Sequence, residues 1–131
     1  VAMAQRLVRR FCAQCRQEYQ ATKDEGQTLK AAIEALPAGI ERPKLKEPLQ
    51  LWKAAGCGDC NGTGYKGRVG VFEIIIVDDA VEKLIFQKPS EVDIKAAARQ
   101  QGQITMRQDG ILKVLAGITD LHEVERVVGA G

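Results

Sequence analysis

The sequence predicts an α+β fold, mostly α, in which a two-stranded β ribbon brackets a cysteine-bearing subdomain and leads into a small four-helix bundle-like subdomain. Three observations carry this expectation. Four cysteines fall into two Cys-x-x-Cys pairs with 41 residues between them. Segments of strand-like composition flank the pairs on their outer sides, Ala2 to Phe11 and Tyr65 to Val77. Beyond Arg68, helix start and stop residues recur at helical intervals.

Composition narrows the functional classes. A chain of 131 residues allows one ordinary domain or two very small ones, and 45% hydrophobic residues suffice for a core. A net charge of only +2 gives no basis for a nucleic-acid or membrane-surface partner. The longest apolar run, Val71 to Val77, is interrupted by Glu73 and falls far short of the roughly 20 residues needed to span a bilayer. The opening residues lack the charged-then-apolar order of an export signal. They also lack an initiator Met, and the chain is expected to be a piece of a longer protein.

Without an export signal, four paired cysteines fit a metal site better than two disulfides. A tetrahedral zinc places four thiolates at about 2.3 Å from the metal and roughly 3.8 Å from one another. Two intervening residues allow a tight turn to reach that spacing, as in Cys12-Ala13-Gln14-Cys15 and Cys57-Gly58-Asp59-Cys60. After the second pair comes Asn61-Gly62-Thr63-Gly64, whose glycines permit positive φ around the metal. The expected ligands are therefore Cys12, Cys15, Cys57 and Cys60, and the expected cofactor is structural Zn²⁺. A redox dithiol pair or an iron–sulfur cluster remains as an alternative. A catalytic zinc is excluded by this donor set, which leaves no open coordination position.

Such a metal dictates topology. It holds the residues before Cys12 beside those after Cys60, so the flanking segments pair as a ribbon and residues 16–56 loop out. Within the loop, Leu29, Ile33 and Leu36 suggest a helix from Thr28 to Leu36, ended by Pro37 and Gly39. Ile40 to Glu47 is expected as a linker. Pro48 suits the first turn of a short helix presenting Leu49, Leu51 and Trp52. Trp52 is either a plug for the metal-bound lobe, the favoured reading, or a recognition aromatic.

After the metal site, Arg68 to Val77 is expected as a buried strand. Asp78 or Asp79 then caps a helix over Ala80 to Gln87, with Val81, Leu84 and Ile85 facing inward. Pro89-Ser90 starts a helix over Glu91 to Gln101, which Gly102 ends. A third helix, about Met106 to Ala116, buries Ile111, Leu112 and Leu115. Thr119 or Asp120 caps the last, Leu121 to Val128, and Asp120 with Glu123 has capping-box spacing.

Catalytic machinery is missing from the pattern. Gly62-Thr63-Gly64-Tyr65-Lys66-Gly67 is glycine-rich, but it lacks the Gly-Lys-Ser/Thr of a phosphate loop. His122 is the single histidine and is expected on a solvated helix face, which excludes a finger with two histidine ligands. Asp78-Asp79 sit where caps belong. No nucleophile–base set can be built.

With the motifs placed, a resemblance emerges. Ala4 to Cys12, Gly56-Cys57, and Cys60-Asn61-Gly62-Thr63-Gly64-Tyr65-Lys66-Gly67-Arg68-Val69-Gly70-Val71-Phe72-Glu73 resemble the C-terminal part of the type II secretion and type IV pilus-assembly ATPases. The likeness continues through Asp109-Gly110, Lys113-Val114, Gly117-Ile118-Thr119 and Glu123-Val124, and omits only the excursion at about 20–48.

The resemblance implies that residues 1–11 end a RecA-like ATPase core, 12–67 form the zinc-binding subdomain and 68–131 form the C-terminal helical subdomain. It also implies a homo-hexameric, cytoplasmic ATPase, peripheral at the inner membrane, that acts on an inner-membrane platform protein. ATP and Mg²⁺ would be bound by the parent protein upstream, so this piece is expected not to hydrolyse ATP alone. Arg68 would pair with a local carboxylate such as Asp59 or reach a neighbouring subunit, the local pair being favoured. The helix over Ala80 to Gln87 would be a coupling arm.

Two other classes compete. Cys57 to Gly64 resembles one repeat of the cysteine-rich domain of J-domain co-chaperones, but this chain has a single copy. A zinc-ribbon nucleic-acid binder is the other. Residues 1–67 carry a net +4 (11 basic, 7 acidic) and the remainder a net −2 (8 basic, 10 acidic). Four thiolates around Zn²⁺ add about −2 to the first part, leaving too weak a basic face for a groove binder. Steeply salt-dependent DNA binding would mark that class.

Overall fold

The computed structural model describes residues 1–129. It contains four strands in two antiparallel pairs and five α-helices: β1 (Ala2–Phe11), β2 (Gln17–Gln20), α1 (Lys23–Glu34), β3 (Gln50–Lys53), β4 (Tyr65–Ile75), α2 (Asp79–Phe86), α3 (Glu91–Gln100), α4 (Met106–Leu115) and α5 (Leu121–Val128). This is the α+β arrangement expected, with the cysteines grouped where the strands meet.

The outer ribbon forms as anticipated. β1 pairs with β4 from Ala2↔Ile75 to Phe11↔Tyr65, with a register shift between Arg9 and Phe11. The same closure organises the inner side of the loop. β2, leaving Cys15, pairs with β3, approaching Cys57, from Gln17↔Lys53 to Gln20↔Gln50. The short helix expected after Pro48 is therefore a strand. Gln50 is exposed, Leu51 is buried and Trp52 is half-buried. The pairing of β3's backbone with β2 decides its conformation.

The first helix begins earlier than the apolar residues suggested. Thr22 accepts a hydrogen bond from the Glu25 backbone N–H, and the Glu25 carboxylate accepts one from the Thr22 N–H. This capping box satisfies two orphan donors and starts α1 at Lys23, leaving Leu36 beyond its end. Leu29, Ala32 and Ile33 form its buried face.

A single apolar core unites the excursion with the end of the chain. Leu29, Ile33, Leu36 and Leu51 pack with Ile111, Val114 and Val124. α4 and α5 approach so closely that a Cβ on Gly110 would stand 2.7 Å from Val124 Cγ1. Ile111 is buried as expected, Leu112 and Leu115 are only half-buried, and Val114 takes the central place.

The strand from Arg68 is less covered than its composition suggested. Only Val71 is fully buried in β4, while Ile74 is 46% exposed and Ile76, just past the strand, 58%. A two-stranded ribbon has no third layer to cover both faces. In α2 only Val81 is buried, and Ile85 and Phe86 lie open. Asp78, Ser90, Thr105 and Asp120 cap α2 to α5 in turn, each accepting a backbone N–H from the third helical residue. The helices associate as two pairs, α2 with α3 and α4 with α5.

Candidate metal centre

The two Cys-x-x-Cys turns, a first knuckle at Cys12–Cys15 and a second at Cys57–Cys60, meet at the base of the excursion. Cys12 lies just past β1, held by a hydrogen bond from its backbone N–H to the Gly64 carbonyl at 2.9 Å. Cys60 ends a short 3₁₀ turn, Gly58–Cys60. Asn61 follows in the left-handed conformation at φ 55°, returning the chain toward β4.

Four sulfurs converge there. The Sγ atoms of Cys12 and Cys57 are 3.8 Å apart, those of Cys15 and Cys60 3.8 Å, and those of Cys57 and Cys60 3.7 Å. All four lie within 4.8 Å of one another. These separations match the roughly 3.8 Å edge of a thiolate tetrahedron around zinc. Cys12 and Cys60 are buried, and Cys15 and Cys57 are half-buried. The residues present therefore fit a metal.

Backbone donors aim at two of the sulfurs. Gly56 N–H donates to Cys15 Sγ at 3.3 Å, and Cys57 N–H and Gly64 N–H donate to Cys60 Sγ at 3.3 and 3.2 Å. Burial pushes the Cys60 thiol upward, but these N–H groups and the neighbouring thiols outweigh it and bring the pKa down to about 6. For Cys15 burial prevails, lifting the thiol to about 11 against the Gly56 bond. Hydrogen bonding to a sulfur favours its charged form, the form a metal binds.

Gly64 is fixed by space as well as conformation. It has φ +82°, and a Cβ there would sit 2.4 Å from the Ala54 Cβ. Gly64→Ala is expected to destabilise by roughly 2–3 kcal/mol, combining an unfavourable φ with a clash against β3's exit. Thermal unfolding of the metal-loaded variant measures this.

Around the centre, polar contacts anchor it to α5. Arg9 donates to the fully buried Glu123 carboxylate through Nε at 3.1 Å and Nη2 at 2.9 Å, and its backbone N–H donates at 3.0 Å. Arg126 donates to the same carboxylate at 3.1 and 2.6 Å. The Arg9 guanidinium lies 4.2 Å from the Tyr65 ring centroid, and the Tyr65 hydroxyl donates to Asp120. Burial alone would raise the Glu123 pKa, but the two arginines and the Arg9 N–H hold it down at about 2. Glu123 is thus a buried ion-pair centre, and its capping-box spacing with Asp120 closes no box: Asp120 accepts the Glu123 N–H while the Glu123 carboxylate turns to Arg9.

The other singled-out residues find plain places. Trp52 is a plug, its ring covered by the Arg16 guanidinium at 4.0 Å, with Gly117 closely apposed. Arg16 also donates to the Gly117 carbonyl at 2.6 Å, docking the first knuckle on the α4–α5 turn. Asp59 pairs with Lys66 at 3.0 Å, not with Arg68, which is exposed and in none of the ion pairs among the described residues. His122 is exposed on α5. No helix among the described residues is long and apolar enough to cross a membrane.

Comparison with known proteins places this sequence in a family. The family model described as type II/IV secretion system protein matches residues 1–126. The chain is 39% identical to the type IV pilus assembly ATPase PilB of Thermus thermophilus, over 93% of its own length and 13% of the relative's. It is also 39% identical to the type II secretion system ATPase E of Vibrio cholerae, over 95% and 22%. With PilB of Acinetobacter baylyi it shares 34% identity over 97% and 20%. The chain thus spans between about an eighth and a fifth of the length of these relatives. With the match covering nearly all its residues, the chain belongs to the type II/IV secretion system protein family.

Proposed function

We propose that this chain is the non-catalytic, zinc-binding coupling region of a hexameric ATPase that powers type IV pilus assembly or type II secretion. The observation that carries the reading is the set of sulfurs 3.7–3.8 Å apart at the base of the excursion. Cys12, Cys15, Cys57 and Cys60 hold one Zn²⁺. Bound there, zinc supplies a structural crosslink and no Lewis acid, since four thiolates complete its tetrahedron. The donor set chooses zinc over harder cations.

In this reading, residues 1–11 close a RecA-like core, 12–67 make the zinc subdomain and 68–131 the C-terminal subdomain. ATP and Mg²⁺ bind elsewhere in the longer protein, which works at the cytoplasmic face of the inner membrane against a platform protein. The support is that the relatives are ATPases of type IV pilus assembly and type II secretion and are much longer than this chain. α2 acts as the coupling arm: it follows the ribbon directly and packs mainly on α3, leaving Phe86 80% exposed. Two engineered cysteines crosslinking α2 to the ATPase core of the longer protein are expected to abolish assembly or secretion while ATP binding persists. Undiminished assembly or secretion in the crosslinked protein would sink the coupling role.

A further inference from the structure

The four sulfurs are not equivalent. Among the described residues, backbone N–H groups reach Cys15 and Cys60 but neither Cys12 nor Cys57. An N–H···S bond draws electron density from a thiolate and lowers its nucleophilicity, and such outer contacts tune metal-bound ligands. Access divides the set a second way. Cys12 and Cys60 are buried, while Cys15 and Cys57 are half-buried. Among the described residues, Cys57 is the one cysteine that is both half-buried and without a backbone N–H on its sulfur.

We propose that Cys57 is an oxidative modification site through which the metal centre opens, with Cys12 as its resolving partner. The inference rests on the four-thiolate centre described above, and the oxidant is of the hydroperoxide class. Cys57 Sγ attacks one peroxide oxygen; the S–O bond forms, the O–O bond breaks, and hydroxide leaves. Sulfur loses two electrons and the peroxide gains them. The resulting sulfenic acid is a poor ligand. A neighbouring thiolate then attacks the Cys57 sulfur, forming S–S and expelling the oxygen as a second hydroxide. In sum, two thiolates and one hydrogen peroxide give one disulfide and two hydroxides.

Two thiolates stand at nearly equal range, Cys12 at 3.8 Å and Cys60 at 3.7 Å. Cys60 accepts two backbone N–H bonds, whereas Cys12 accepts none among the described residues. The better nucleophile is Cys12. The product has a structural consequence. A Cys12–Cys57 bridge joins the two knuckles across the base of the excursion, so the loop stays closed after metal is lost. A Cys57–Cys60 bridge would lie within one knuckle and leave it open.

The test uses the metal-loaded chain, with zinc content measured beforehand. Limiting hydrogen peroxide, or limiting N-ethylmaleimide in parallel, is followed by peptide mass spectrometry and by a chromogenic zinc chelator. Maleimide is expected to label Cys57 at least about tenfold faster than Cys15 or Cys60, with zinc released in step. Peroxide is expected to give the Cys12–Cys57 disulfide as the main product. Metal-loaded protein that labels evenly, labels first at another cysteine, keeps its zinc after Cys57 reacts, or forms chiefly another disulfide overturns this inference alone. Protein that carries no metal when purified overturns the centre beneath it.

Discussion

A Cys60→Ser chain is expected to lose its metal and the order of its excursion together. Cys60 is buried and accepts hydrogen bonds from the Cys57 and Gly64 backbones, so its sulfur organises the second knuckle as well as binding. Structural zinc in small finger peptides contributes on the order of 10–16 kcal/mol at neutral pH. Whole domains are stable by only about 5–15 kcal/mol, so losing a large part of the metal's contribution removes the order it holds.

The consequence spreads, because the excursion shares its core with the C-terminal pair of helices. Leu29, Ile33, Leu36 and Leu51 cover Ile111, Val114 and Val124, and releasing the former exposes the latter. Hydrogen exchange is expected to accelerate first in β2 and β3, then in α1 and α4. The exposed neighbour Ala13→Ser, in the other knuckle, should stay within about 0.5 kcal/mol of the parent. Unchanged exchange in β2 and β3 of Cys60→Ser would show that apolar packing alone holds the excursion.

Glu123→Gln is expected to be the next most damaging change, and its effect should depend on pH. The carboxylate is fully buried and accepts from Arg9 and Arg126, so the variant leaves two guanidinium groups without their counter-charge. Breaking a buried pair typically costs about 3–5 kcal/mol, and exposure of the arginines at 43% and 50% places this one toward the lower end. A loss of ~3 kcal/mol in a domain of this size corresponds to a fall in Tm of roughly 10 °C.

The sign of the pH dependence follows from the lowered pKa. Folded Glu123 titrates at about 2, whereas an unfolded glutamate titrates near 4.3. Between these values the unfolded chain holds more protons, so stability falls as pH falls. The contribution of Glu123 is complete above about pH 5 and vanishes as pH drops through about 2. Melts of both proteins from pH 2 to 7 should show their difference shrinking in acid. A pH-independent difference would mean that the carboxylate's charge contributes nothing.

Much of the fold could be read from the residue pattern because four clustered cysteines are a long-range constraint written in four letters. Two Cys-x-x-Cys pairs imply a closed loop, and closure implies that the flanking strands pair. The same reasoning applied inward predicts β2 and β3 as well, but Leu49-Gln50-Leu51-Trp52 is too short for its period to distinguish strand from helix. The start of α1 was signalled by Thr22 and Glu25, three residues apart, while its apolar face begins only at Leu29. Ile74 and Ile76 suggested burial by composition, yet coverage depends on a third layer that the sequence does not announce.

The four-cysteine cluster was legible and its support was not. Arg9 and Glu123 are 114 residues apart, and no local pattern links them. Glu123 was visible only as a helix-start residue, since its spacing from Asp120 satisfies the same rule whether its carboxylate turns to the cap or to a distant arginine. Likewise Arg16, over Trp52, carries no signal beyond its place after Cys15.

The most direct test of the zinc centre is the metal content and coordination of the purified chain. One zinc per chain is predicted, with X-ray absorption showing four sulfur neighbours at about 2.3 Å. A strong chelator should remove it and lower the melting temperature sharply. Protein that holds no metal and melts identically with and without chelator would contradict the central claim.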